Sequence, residues 1–133
     1  MTTRILITGS REWTDRKAIQ MALSVYGYDV DLCHGGARGA DSIAGEIAAG
    51  WGIPVSIFQA DWQKHGKRAG PIRNQQMLDE FKPDVVLAFP VPSSRGTFDM
   101  IERARKAGVR FEVYFPGDAR LRSIAEVMSE NTA

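Results

Sequence analysis

Short apolar runs alternate along the chain with stretches whose apolar residues recur every three to four positions. The first run, Arg4 to Thr8, is closed by Gly9 and predicts a buried strand. Thr14 or Asp15 is placed to cap a helix whose stripe is Ile19, Ala22, Leu23 and Tyr26, with Gly27 as its stop. Val30 to Cys33 predicts a second strand, ending in His34-Gly35-Gly36. Ala40, Ile43, Ala44, Ile47, Ala48 and Trp51 give the clearest helical period, ended by Gly52 and Pro54. Val55 to Phe58 predicts a third strand. Gln59 to Ala69 is polar and irregular and reads as a loop. Pro71 falls where a first helical turn accepts it, and Asn74, Met77, Leu78 and Phe81 form that helix's periodic face.

Asp84 to Phe89 is apolar without alternation, as in a strand covered on both faces. Pro90 to Arg95 reads as a loop. Gly96-Thr97 opens a helix through Ile101, Ala104 and Ala107, stopped by Gly108. Val109, Phe111, Val113 and Phe115 alternate with Arg110, Glu112 and Tyr114, the period of a half-exposed strand near a sheet edge. Leu121, Ile124, Ala125 and Met128 predict a last amphipathic helix, and Glu130 to Ala133 should fray. Strand and helix thus alternate from end to end. This predicts an α/β fold: a single Rossmann-like, doubly wound domain over residues 1–133, ordered from about residue 4 to about residue 129. Its five-stranded sheet is mainly parallel, with helices on both faces. The common strand order 3-2-1-4-5 would set the first and fourth strands side by side, their loops facing across a cleft.

Seventeen Lys+Arg against sixteen Asp+Glu leave a formal charge of +1. Hydrophobic residues at 44% and charged residues at 25% match a folded globular domain and argue against disorder. The near-neutral balance excludes a generally basic nucleic-acid binder but leaves room for a local basic patch. One cysteine, Cys33, excludes an internal disulfide framework and a multi-Cys zinc site. Two histidines, His34 and His65, and a single cysteine make no ligand set, so no protein-bound metal is expected. No apolar stretch reaches the roughly 18 residues of a membrane span. Residues 1 to 10 reach a strand almost at once, without a signal pattern. The expected setting is cytoplasmic, away from any membrane.

In an open parallel sheet, ligands sit beyond the carboxyl ends of the strands. The residues that fit no core pattern gather there. Gly9-Ser10-Arg11 follows the first strand, and a hydroxyl with a guanidinium suits an anionic oxygen as well as a surface ion pair. After the second strand come His34, Gly35, Gly36, Arg38, Gly39 and Asp41. The glycines either bring backbone N–H groups close to a phosphate or make a tight strand-to-helix turn. They match neither a Walker loop nor the dinucleotide fingerprint, so neither ATP hydrolysis nor NAD binding is supported by motif. Asp41, in the first helical turn, either compensates the helix dipole or accepts from ribose hydroxyls or a cationic neighbour. His34 contacts a ligand or packs at the strand end, and Cys33 reads as a core residue. Trp62 to Met77 holds Lys64, Lys67, Arg68 and Arg73 and no acid, a net +4 against −3 for the rest. It is either a lid with Trp62 as a stacking surface or a solvated loop with a buried Trp anchor. Arg73 and Asn74, in a helical first turn, could reach the cleft. Ser94, Arg95, Gly96 and Thr97 combine a hydroxyl, a guanidinium and a helix start, where capping and anion binding can coexist.

These stretches resemble the SLOG superfamily of Rossmann-like ligand-binding domains, and within it the YspA-like, cpYpsA-related branch. The matching residues are Gly9-Ser10-Arg11 with Trp13 and Asp15, His34 through Asp41, Trp62 with Gly66-Lys67, Ala69 through Met77, and Ser94 through Thr97. The resemblance covers about residues 4 to 113. It implies binding of a nucleotide or a nucleotide-derived molecule, ADP-ribose-like or a cyclic or signalling nucleotide, as a sensing or sequestering module. More distantly it points to the LOG enzymes, which cleave the N-glycosidic bond of nucleoside monophosphates, and to DprA-like DNA-processing proteins. The LOG motif Gly-Gly-x-Gly-Thr-x-x-Glu ends in a catalytic Glu. Met100 stands at that position here, and a thioether does no acid–base work. Hydrolysis would then fall to Asp41 or Asp99. Nucleic-acid binding ranks third, supported only by the basic segment. No tightly bound cofactor is expected, beyond Mg²⁺ carried on ligand phosphates. A homo-oligomer is expected, since family members commonly dimerise through helices.

Overall fold

The structure, a computed structural model, describes residues 1–118. The expected helix around Leu121 to Met128 lies outside the described residues. The elements run β1 (Thr3–Gly9), α1 (Arg16–Ser24), β2 (Val30–His34), α2 (Ala40–Gly50) and β3 (Val55–Ile57). Then follow α3 (Trp62–His65), a 3-10 turn (Gly66–Arg68) and α4 (Ala69–Gln76), which ends in a π-helical turn (Met77–Phe81). β4 (Val85–Phe89), α5 (Arg95–Lys106) and β5 (Arg110–Val113) complete them. The strands form one parallel sheet in the order β3-β2-β1-β4-β5. The expected α/β doubly wound architecture is therefore the observed one.

The twofold period of the strands sorts the core. Ile5 and Ile7 of β1 with Val85, Leu87 and Phe89 of β4 turn to one face and pack on Ile19 and Leu23 of α1 and Ala44 and Ile47 of α2. Leu6, Cys33 and Val86 turn to the other face and meet Met77, Leu78, Phe81, Met100 and Ala104. Both faces of β1 and β4 are thus covered, so neither strand carries polar alternation. Each such side chain contributes roughly 1.5–3 kcal/mol by leaving water. The two edges differ from this centre: Ser56 and Ile57 of β3 are exposed, and Arg110 opens β5 on the surface.

Asp15 caps α1, its carboxylate accepting from Ala18 N at 3.1 Å. The stretch Gln59 to Ala69 departs from the expected loop. Asp61 caps α3 by accepting from Lys64 N at 3.0 Å, and the 3-10 turn runs directly into α4. Neither short element buries a residue, so no apolar period betrays it. At the other end of the chain, α5 starts one residue before the expected Gly96.

Candidate functional site

The loop after β1 is fixed before it meets any ligand. Ser10 N donates to Phe89 O at 2.9 Å, tying it to the end of β4. Ser10 Oγ accepts from Glu12 N at 2.9 Å, and Ser10 O accepts from Ala40 N at 3.1 Å. Trp13, packed edge-on to Phe89, anchors the far side of the turn. The start of α2 presses against this loop so closely that a Cβ on Gly39 would lie 2.6 Å from Arg11 O. Gly39 also has φ +77°, which side-chain-bearing residues rarely adopt.

Of the two readings of the glycine loop, its contacts at Gly35 to Ala37 favour the tight strand-to-helix turn. Gly35 N and Ala37 N donate to Asp41 Oδ2 at 3.0 and 3.3 Å, and Gly36 N donates to His34 Nδ1 at 2.9 Å. A carboxylate and an imidazole of the chain itself already fill the place an anion would take. His34 lies buried beneath this loop, its Nε2 facing α2, where a Cβ on Gly45 would sit 2.6 Å away. His34 and Gly39 line neither cavity described below and shape the loop from behind. Burial, reinforced by the Arg73 charge, holds the His34 imidazole below its ordinary range. Burial, helped by the Asp41 charge and opposed by Arg4, pushes the Cys33 thiol far up, consistent with a core residue.

Arg73 joins the loops. Its Nη1 donates to Gly35 O at 2.7 Å and Phe58 O at 3.3 Å, and its Nε donates to Asn74 Oδ1 at 3.2 Å. The buried Asn74 passes the connection on, donating through Nδ2 to Gly96 O at 3.2 Å and Asp99 Oδ2 at 3.0 Å. Arg103 Nε also donates to that Asp99 oxygen, at 2.8 Å. One chain of side chains therefore sets the loop after β2 against the start of α5.

The start of α5 is left open. Ser94 occupies the N-cap but makes no side-chain bond to the first turn; its hydroxyl accepts instead from Val91 N at 2.9 Å. Arg95 N and Phe98 N find acceptors in Ser93 O and Ser94 O. The N–H groups of Gly96 and Thr97 have none among the described residues, and no acid stands in the first turn. A Cβ on Gly96 would meet nothing within 4 Å.

Gly9, Ser10, Arg11, Asp41, Arg73 and Asn74 line one cavity of about 660 Å³ together with Ser94, Arg95, Gly96, Thr97 and Asp99. A smaller cavity of about 300 Å³ adjoins it, lined by Gly35, Gly36, Arg38 and Gln59. Arg11, Ala37, Trp62 and Arg73 belong to both walls. Three loops separated in sequence thus converge at one rim of the sheet. Arg11, Lys67 and Arg95 reach the larger cavity and make no ion pair among the described residues, whereas Arg38 is held by Glu12 at 2.8 Å. Asp41 lines the same cavity. Its Oδ1 is buried without a partner, and burial pushes its carboxyl up to about 6 against the pull of the loop N–H groups and of Arg73 and Arg11. The arrangement offers cations and helix N–H groups to an anion.

Gln59 lines these walls without having been singled out in the sequence, while Lys67 and Trp62, read there as either a lid or a solvated loop, prove to be cavity wall. Gln59 follows β3, so the carboxyl-end rule applied to that strand reaches it. Lys67 and Trp62 sit in the basic segment whose helical path was not legible.

A parallel doubly wound domain with a cleft beyond β1 and β4 belongs to the Rossmann-like class of ligand-binding folds. Within that class the chain belongs to the YspA, cpYpsA-related SLOG family, whose profile matches residues 3–65. It is similar to the Gene 61 protein of Mycobacterium phage D29, 44% identical over 117 residues, covering 80% of this chain and 91% of that protein. The fold also matches DNA processing protein A from Streptococcus pneumoniae with a TM-score of 0.65 at 18% identity. That likeness covers 99% of this chain, which spans only 57% of the length of the DNA processing protein.

Among the described residues no helix is long and apolar enough to cross a membrane.

Proposed function

We propose that the chain binds a nucleotide or nucleotide-derived phosphate ligand in the larger cavity, as a sensing or sequestering module. One juxtaposition supports the reading: the open N-terminus of α5 shares a cavity with Asp41 and with three cations, Arg11, Lys67 and Arg95, that make no ion pair among the described residues. The phosphate lies on Gly96 N and Thr97 N, with Arg95 and Arg11 neutralising it. A ribose hydroxyl reaches the Asp41 carboxyl where that residue lines the cavity. Any Mg²⁺ arrives on the phosphates. A thermal-shift panel of nucleotides, cyclic nucleotides and ADP-ribose derivatives tests this. A ligand at a hundred times its Kd adds about 2.7 kcal/mol and raises the melting temperature by several degrees. R95A should weaken that ligand by at least about tenfold, the value of one charge-assisted bond. A flat response from folded protein overturns the reading.

A second reading rests on a separate observation: Asp41 and Asp99 line the same cavity. Two carboxyl groups at one site suit N-glycosidic hydrolysis, with the raised carboxyl of Asp41 as the proton donor. Incubation with AMP and NAD should then release free base, and D41N or D99N should abolish the release. The likeness to a DNA processing protein earns a single-stranded oligonucleotide a place in the panel, read by salt-sensitive gel shift.

A further inference from the structure

The smaller cavity has a wall suited to a planar ring. Trp62 is half exposed, lies over α4 with its ring 3.5 Å from a Cβ built on Gly70, and belongs to both cavities. The other two tryptophans have different surroundings: Trp13 is buried against Phe89, and Trp51 packs edge-on against Tyr28 at the end of α2. Gln59 and Gly36 line the small cavity together with Trp62. The Gln59 carboxamide comes so close that a Cβ on Gly36 would lie 2.9 Å from Nε2. An aromatic face and an amide carrying both donor and acceptor are the two elements that recognise a heterocycle: the first by stacking, the second by its hydrogen-bonding edge. Arg11 and Arg73, shared by both cavities, supply positive charge at the junction.

We propose that the smaller cavity is a nucleobase subsite, with Trp62 as its stacking face and Gln59 reading the base edge. The ligand then spans both cavities, phosphate at α5 and base at Trp62. This rests on the phosphate-ligand reading above and adds that the base is recognised as well as the phosphate. A sugar phosphate lacking a base would fill only half of the site.

The test titrates the full chain with the 5′-mono- and diphosphates of the four ribonucleosides. Ribose 5-phosphate and inorganic pyrophosphate serve as baseless probes, and calorimetry and tryptophan emission are read together. At least one nucleotide should bind about tenfold or more tighter than ribose 5-phosphate, the gain expected from one stacked base. Its binding should change the emission of the wild type and not that of W62F. W62L should weaken the nucleotide at least about tenfold more than ribose 5-phosphate, whose cavity Trp62 also borders, while W62F keeps most of the difference. Q59A should weaken the nucleotides alone. Equal binding of nucleotides and ribose 5-phosphate to the wild type overturns the subsite and leaves the phosphate site standing. An equal loss of both in W62L overturns it too, as the mark of a structural residue. Failure of every probe to bind removes the phosphate reading and the subsite with it.

Discussion

Arg73 Nη1 donates to the carbonyl of Gly35 at 2.7 Å, and the guanidinium lies where a side chain on residue 35 would begin, its Cζ 2.6 Å from a built Cβ. The absence of a side chain at residue 35 thus makes room for an arginine of the chain itself, not for a phosphate. G35A should displace the guanidinium, break its bonds to Gly35 O and Phe58 O, and cost about 1–3 kcal/mol. In an R73A background the methyl meets no guanidinium, so its cost should shrink. Urea denaturation of the four proteins measures this coupling. Additive costs would show that Gly35 is needed for some other reason.

Gly96 and Gly39 should answer to substitution in opposite ways. A methyl at residue 96, which lines the cavity at the open helix start, meets nothing within 4 Å. G96A should leave the melting temperature unchanged or slightly raised, since Ala loses less backbone entropy, and should weaken the phosphate ligand at least about tenfold. Gly39 has φ +77° and faces Ser10 O and Arg11 at close range. G39A should lower stability by about 2 kcal/mol or more, from strain and clash together. Loss of stability in G96A with ligand binding intact would contradict the site geometry.

The fold was legible because β1 and β4 are apolar on both faces, and because the stripes of α1, α2 and α5 repeat at 3.6 residues. Helices α3 and the 3-10 turn were not legible, since their residues lie on the surface and follow caps and turns, not a period. At the site, the carboxyl-end rule found the right loops and misjudged their division of labour. Glycine content drew attention to residues 35 to 39, where Asp41 and His34 take up the N–H groups of Gly35 and Gly36, and Arg73 and Ser10 fill the space beside Gly35 and Gly39. Gly96 N and Thr97 N stay open among the described residues, in a sequence that reads as an ordinary helix start. Composition counts glycines; only tertiary contacts tell which of them face empty space.

Asp41 and His34 give the stability a two-signed pH dependence. The folded-state pKa of Asp41, about 6, lies above its ordinary value of 3.8. The native state therefore holds more protons than the unfolded chain between those values. The Asp41 contribution is fully present below about pH 4 and is lost as pH rises through about 6. His34 is depressed below 6.5, so its contribution runs the other way and is lost as pH falls below 6.5. D41N keeps an oxygen acceptor for Gly35 N and Ala37 N and removes the buried charge. Its melting temperature relative to wild type should rise as pH goes from 4 to 7 and level off above. A constant difference across that range would mean that Asp41 titrates as a free carboxyl.

The position where LOG enzymes carry their catalytic Glu is closed to chemistry by packing. Met100 has no exposed surface and lies among Leu6, Cys33, Met77 and Val86, on the face of α5 that also buries Thr97 and Ala104. Asp99, one residue back and so about 100° around the helix, reaches the cavity. M100E would bury a carboxylate among apolar side chains, with no cation in the cluster to pair it. It should lose about 3 kcal/mol or more, or fail to fold. M100L, close in volume, should cost less than about 1.5 kcal/mol. Neither variant should gain release of base from AMP, measured by chromatography after overnight incubation. A stable, base-releasing M100E would show that the side chain at residue 100 can turn from the core to the ligand, and that α5 sits differently from the arrangement described.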